Sequence, residues 1–153
     1  MHVSETLKFT VRHILPPMFF VTLIFLFIIF AFPTLSLTPK GFTLIYWSFS
    51  IVSFPLNYQA QIWTEYVIKH YGPQKEKNPV MRKMYVNGDL KEYWISWLGM
   101  YLFLFFYYII AVNVQIFLPS LIIPSWILAV ILYDFLNDFY WLRKLKTNPK
   151  TKL

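Results

Sequence analysis

The chain of 153 residues contains no cysteine, only four glycines and only seven acidic residues. Without cysteine there can be no disulfide, thiolate metal centre or thiol nucleophile, and the redox compartment stays open. The few glycines form no phosphate-cradling loop, and the chain also lacks a His-Glu-x-x-His metal motif, a Ser-His-Asp order and the spaced aspartates of CDP-alcohol transferases. Charge of either sign is scarce at 14%, against 58% hydrophobic and 22% aromatic residues. A soluble domain of this length cannot bury so much apolar surface, so lipid must be the solvent for most of it.

Four long apolar runs are present, at about residues 14–32, 41–66, 93–117 and 120–142. Thirteen of the fourteen Lys and Arg residues lie before the first run, between the second and third, or after the fourth, and Lys40 alone occupies the other gaps. Cytoplasmic loops retain basic residues, and with four spans these three segments must share one side. The pattern predicts an all-α polytopic membrane protein: one membrane domain, a four-span antiparallel bundle in the cell membrane, both termini cytoplasmic. The net charge of +7 is then accounted for by loop placement and by attraction to anionic lipid head groups, worth about 1 kcal/mol per residue near the surface. Membrane lipid is an expected partner; nucleic acid is not.

Residues 1–13 read as a weakly amphipathic lead-in at head-group level, followed by a first span free of ionisable groups. The second span carries Pro55 near its middle, which leaves a backbone carbonyl without its helical donor and favours polar neighbours. Trp94 and Trp97 at the start of the third span, and Tyr140 and Trp141 at the end of the fourth, suit interfacial belts. The central segment, about 68–89, holds Gly72-Pro73, Asn78-Pro79 and Asn87-Gly88, three turn signals with a short helix expected from Pro79 to Val86.

Polar residues inside spans are costly, about 2.5 to 3.5 kcal/mol for a central Asp on the insertion scale, so their positions carry most of the functional information. In the second span Asn57, Gln61 and Glu65 recur every fourth residue and share a face, with Thr64 close by. In the fourth, Asp134 and Asp138 have the same spacing, with Asn137 beside them, and Asp134 lies about 13 Å along the helix from Arg143. If the stripes face one another they form a polar seam opening to the cytoplasm. Asp134, Asp138 and Glu65 are then candidate catalytic carboxylates, and Asn57, Gln61 and Asn137 candidate substrate-binding groups. Such a seam can hold a divalent cation, relay protons or seat a polar head group. It can equally be interhelical packing through hydrogen bonds. No cofactor or metal is specified.

Glu76-Lys77-Asn78-Pro79, after a span with a polar inner half, resembles an uncharacterised family of small prokaryotic multi-span proteins with a Glu-x-Asn-Pro loop signature. The resemblance implies a role for Glu76, Asn78 and Pro79 but no activity. Where that family carries an Asp followed by hydroxyl residues, this chain has Asn57, Tyr58 and Gln59. Remoter is a similarity, through Asp134 and Glu65, to the four-helix fold of sterol isomerases and the sigma-2 receptor, which implies an enclosed pocket with intramembrane carboxylates.

Two functions follow. One is a subunit or scaffold of a larger membrane complex, partnered by other membrane subunits or by copies of itself. The other is a membrane-embedded enzyme or transporter acting on a lipid-like or small amphiphilic substrate through its intramembrane carboxylates.

Overall fold

The computed structural model describes residues 7–32, 35–88 and 90–147. The lead-in before Leu7, Pro33, Asp89 and the basic tail from residue 148 lie outside the described residues. Among the described residues every regular element is helical. The long helices are α1 (Leu15–Ala31), α2 (Pro39–Tyr71), α3 (Pro79–Asn87), α4 (Leu90–Val114) and α5 (Ile122–Thr147). A 3-10 turn, Pro73–Lys75, links α2 to α3, and a single helical turn, Phe117–Ser120, precedes α5. Three helical stretches, Leu7–Ala31, Trp94–Val114 and Phe117–Thr147, are long and apolar enough to cross a membrane.

The helix containing α1 begins by Leu7 and widens into a π-turn over Thr10–Ile14 before tightening into α1. Pro16 and Pro17 explain the widening. Neither has an N–H to donate, and their rings crowd the carbonyls one turn back, which a wider turn relieves. No residue of α1 itself is buried, although Phe, Ile and Leu dominate it. Such a surface is stable only against lipid or a partner.

Helix α5 packs along both α1 and α2. Against α1 it runs antiparallel: the Trp126 indole donates to the Thr22 hydroxyl at 3.0 Å, and Tyr133 meets His13 edge-on further along. Against α2 it runs in the same direction, because Phe42 packs with Phe117 and Leu121 at one end, and Val67 and Tyr71 pack with Leu142 and Leu145 at the other. Trp63 fills the middle, its ring centroid 4.7 Å from that of Phe135.

Helix α4 is antiparallel to α2, and polar pins hold the pair together. The Tyr46 hydroxyl donates to the Leu104 carbonyl at 2.7 Å, Thr43 and Tyr108 share a hydrogen bond at 2.8 Å, and Ser53 and Tyr101 share one at 2.9 Å. Tyr46 is wholly inaccessible to solvent and sits among Phe42, Trp47, Tyr107 and Tyr108. Buried phenols need such partners, since an unpaired hydroxyl in an apolar medium is costly.

Tyr46→Phe keeps the ring and deletes the pin. It is expected to destabilise the chain by roughly 1 kcal/mol in mixed-micelle unfolding; an unchanged midpoint would show that the pin does not hold α4 to α2.

Candidate functional site

The site forms where α2 ends. Gly72 closes the helix at φ 84°, a left-handed conformation that glycine adopts without strain. Pro73 starts the 3-10 turn, in which the N–H of Lys75 donates to Gly72 and that of Glu76 to Pro73, both at 3.1 Å. This tight return drives Glu76 inward, to 7% exposure. Asn78 then caps α3: its side-chain oxygen accepts from the N–H of Val80 at 3.0 Å and of Met81 at 3.4 Å. Pro79 takes the first helical position, where a missing N–H costs nothing. The Glu-x-Asn-Pro sequence is therefore one device, in which Asn78 and Pro79 start a helix and the Asn78 N–H donates to Glu76 Oε1 at 2.8 Å.

Burial pushes the Glu76 carboxyl above its ordinary pKa, and the donors around it, the backbone N–H groups of Asn78 and Lys77 and the Thr64 hydroxyl, oppose that rise without cancelling it. Lys77 is shifted down, chiefly by burial, with the carboxylates of Asp138 and Glu76 opposing. Its ammonium group donates to Asn137 Oδ1 at 3.3 Å and lies 4.4 Å from the centre of the Trp141 ring.

The two polar stripes do meet. A cavity of about 220 Å³ is lined by Asn57, Gln61 and Thr64 of α2, Asn78 and Met81 of the α3 start, Trp97 of α4, and Ile131, Asp134 and Asp138 of α5. A narrower crevice joins Asp134, Asp138 and Asn137 to Glu76, Lys77 and Asn78. Glu65 is not among these residues: it is part-exposed and pairs with Lys69 at 3.7 Å, one turn along α2. Helix geometry accounts for this. Thr64, seven residues from Asn57, returns to within about 20° of the same direction, whereas Glu65, eight residues on, is turned by about 80°. The third carboxylate of the seam is Glu76, supplied by the loop. A stripe counted at i, i+4 and i+7 finds Thr64 in the sequence, but no local spacing brings Glu76 back to α5.

Gln61 is 3% exposed; its amide nitrogen donates to the Tyr85 hydroxyl at 3.5 Å, while its side-chain oxygen has no hydrogen-bond partner among the described residues. Beside it stand the carboxylates of Asp134 and Asp138, and the Asn78 oxygen is already occupied by its cap. What the cavity offers is therefore mostly acceptor capacity. Among the described residues no three His, Asp or Glu side chains converge closely enough to hold a metal ion.

A second, apolar cavity of about 580 Å³ adjoins the first and shares Asn78, Met81, Trp97 and Ile131 with it. Its other walls include Ile14 of the turn before α1, Met18 of α1, Met84 of α3, Met100 of α4, and Ile127 and Val130 of α5.

No family model, no curated protein and no solved structure matches this chain.

Because its pKa is raised on folding, Glu76 favours the folded state below its ordinary value and withdraws that support as pH rises through the raised one. Glu76→Gln keeps an acceptor for the Asn78 N–H and removes the titration. Its stability is expected to fall less than that of the wild type from pH 4 upward; parallel profiles in thermal unfolding would contradict the assigned burial.

Proposed function

We propose that this chain is a four-span membrane protein that binds a small amphiphile, taking its polar head into the carboxylate-lined cavity and its tail into the adjoining apolar one. The observation that carries this reading is the junction itself: an acceptor-rich polar cavity containing the Gln61 oxygen shares Asn78, Met81, Trp97 and Ile131 as walls with an adjoining apolar cavity. A head group bearing N–H or O–H donors satisfies Gln61, Asp134 and Asp138 together, and a hydrocarbon chain fits the methionine-rich walls beyond. Asp134 and Asp138 flank the head, and Glu76, held towards its protonated form, stands behind them as an acid that can exchange a proton with it.

In this reading α2 is the fourth crossing. Its polar stripe lowers its hydropathy, yet it is 33 residues long and pairs end to end with two helices that are long and apolar enough to span, parallel to α5 and antiparallel to α4. With the basic segments inside, both termini and the α2–α3 loop face the cytoplasm. The seam then opens on the cytoplasmic side and the apolar cavity towards the lipid between α1 and α4.

The scaffold reading draws on the wide exposed apolar faces, such as Phe27 and Phe30 on α1 and Phe106 on α4. Lipid covers such faces equally well, so they do not favour a protein partner over a bilayer.

Three twelve-carbon probes separate the readings: dodecylammonium, dodecanol and dodecanoate, each added to the protein in nanodiscs. The donor-bearing heads are expected to raise the unfolding temperature saturably. Asp134→Asn and Asp138→Asn should each weaken dodecylammonium binding by about tenfold, the loss of one charge-assisted contact, while both variants still fold. Unaltered binding in the variants, or dodecanoate competing equally for the same site, would sink the amphiphile reading.

Topology is accessible because the natural chain has no cysteine. In whole cells a membrane-impermeant maleimide should label Lys40→Cys and spare Lys69→Cys until the membrane is opened. The reverse pattern would invert the orientation, and labelling of both would remove α2 as a crossing.

A further inference from the structure

A third recess, of about 560 Å³, borders the narrow crevice at Glu76 and Lys77. Among the described residues five cationic side chains line it, from three separate segments: Lys8 and Arg12 on the helical turns before α1, Lys75 and Lys77 on the loop, and Arg82 on α3, with Trp141 of α5 in the wall. Lys75 and Arg82 are partly buried in its wall, whereas Lys8, Arg12 and Lys77 are exposed at its rim. Gathering like charges around one hollow is unfavourable unless an anion offsets them. Among the described residues the one carboxylate in the lining is Glu76, which is buried and already engaged by the Asn78 N–H, and Arg82 has an interaction of its own.

The walls are held rather than left to drift. The Trp141 indole donates to the Lys75 carbonyl at 3.1 Å, and the Lys77 ammonium rests over the Trp141 ring. Depth is fixed by the same residues. Lys8 and Arg12 stand at the near end of the candidate span Leu7–Ala31, and Trp141 stands near the far end of Phe117–Thr147. The recess therefore sits where these helices leave the apolar layer, at the level of lipid phosphates, where indole rings also concentrate. Neighbouring cations at Lys69, Lys83 and Arg143 lie outside it.

We infer that this recess is a binding site for a phosphate-bearing anion and that its occupant in the membrane is the head group of an anionic phospholipid. The site is independent of the amphiphile reading, since it shares only Glu76, Lys77 and Phe9 with the crevice beneath it and neither Asp134 nor Asp138 lines it. An anionic lipid seated there bridges the start of the first span to the loop and to α5, and its charge supports the Lys77 ammonium against burial.

The test uses the full chain in detergent micelles, titrated with dihexanoyl phosphatidylglycerol, dihexanoyl phosphatidylcholine and glycerol phosphate, with affinity read by thermophoresis. Phosphatidylglycerol is expected to bind saturably and more tightly than phosphatidylcholine. Two paired variants on opposite walls, Lys8→Gln with Arg12→Gln and Lys75→Gln with Arg82→Gln, should each weaken it about tenfold or more, whereas Lys69→Gln with Lys83→Gln should change it by no more than about twofold. Having two recess variants keeps the test decisive if one fails to fold. Glycerol phosphate binding as tightly as the lipid, with the same dependence on recess residues, would keep the anion site and overturn its assignment to lipid. Equal weakening by the control pair would reduce the effect to diffuse surface attraction, and no preference for phosphatidylglycerol would remove the site altogether.

Discussion

Burying a carboxyl group beside two others is the constraint on which the rest of this structure depends. Glu76 can be 7% exposed only because the chain brings donors to it, and those donors come from its own loop and from Thr64 on α2. Meeting that requirement fixes the turn after Gly72, the start of α3 at Asn78, and the direction of Lys77 towards Asn137 and Trp141 on α5. The loop is thereby tied to three helices. Around this buried acid lie three compartments, the carboxylate cavity, its apolar neighbour and the basic recess, and Glu76 lines both the recess and the crevice that reaches Asp134 and Asp138.

These compartments differ in chemistry although they lie within a few side chains of one another. The cavity around Gln61, Asp134 and Asp138 seeks donors, the space along Met18, Met84 and Met100 seeks hydrocarbon, and the recess around Lys75 and Arg82 seeks negative charge. Residues at the borders serve two neighbours at once. Trp97 and Met81 line both the polar cavity and the apolar one; Lys77 lines both the recess and the crevice. An amphiphile in the seam and a phospholipid at its rim would therefore be held by adjacent walls of one framework.

Much of this was legible in the sequence wherever the controlling rule is local. Hydrophobic runs place three of the helices that can span a membrane, and the spacing of Asn57 with Gln61, and of Asp134 with Asp138, puts each pair on one helix face. The turn dipeptides Gly72-Pro73 and Asn78-Pro79 mark the ends of α2 and the start of α3. Glu65 shows where local spacing fails: four residues from Gln61, it nonetheless turns outward to Lys69, because over eight residues an α-helix does not return to the same direction. Glu76 shows the opposite failure. It sits in a loop with no periodicity, and only the tertiary path of that loop delivers it to the seam. The basic residues were legible as a count in alternate gaps between the apolar runs, but their convergence depends on how the turns before α1 pack against the loop.

Native mass spectrometry of the chain released gently from its own membrane decides whether the seam holds a small amphiphile. A wild-type particle carrying one small amphiphilic molecule that collisional activation removes intact is expected, and a bare particle when Asp134 is replaced by asparagine. A wild-type chain that emerges with no such adduct, bound instead to another membrane subunit that it loses on the same substitution, would make the seam a packing device.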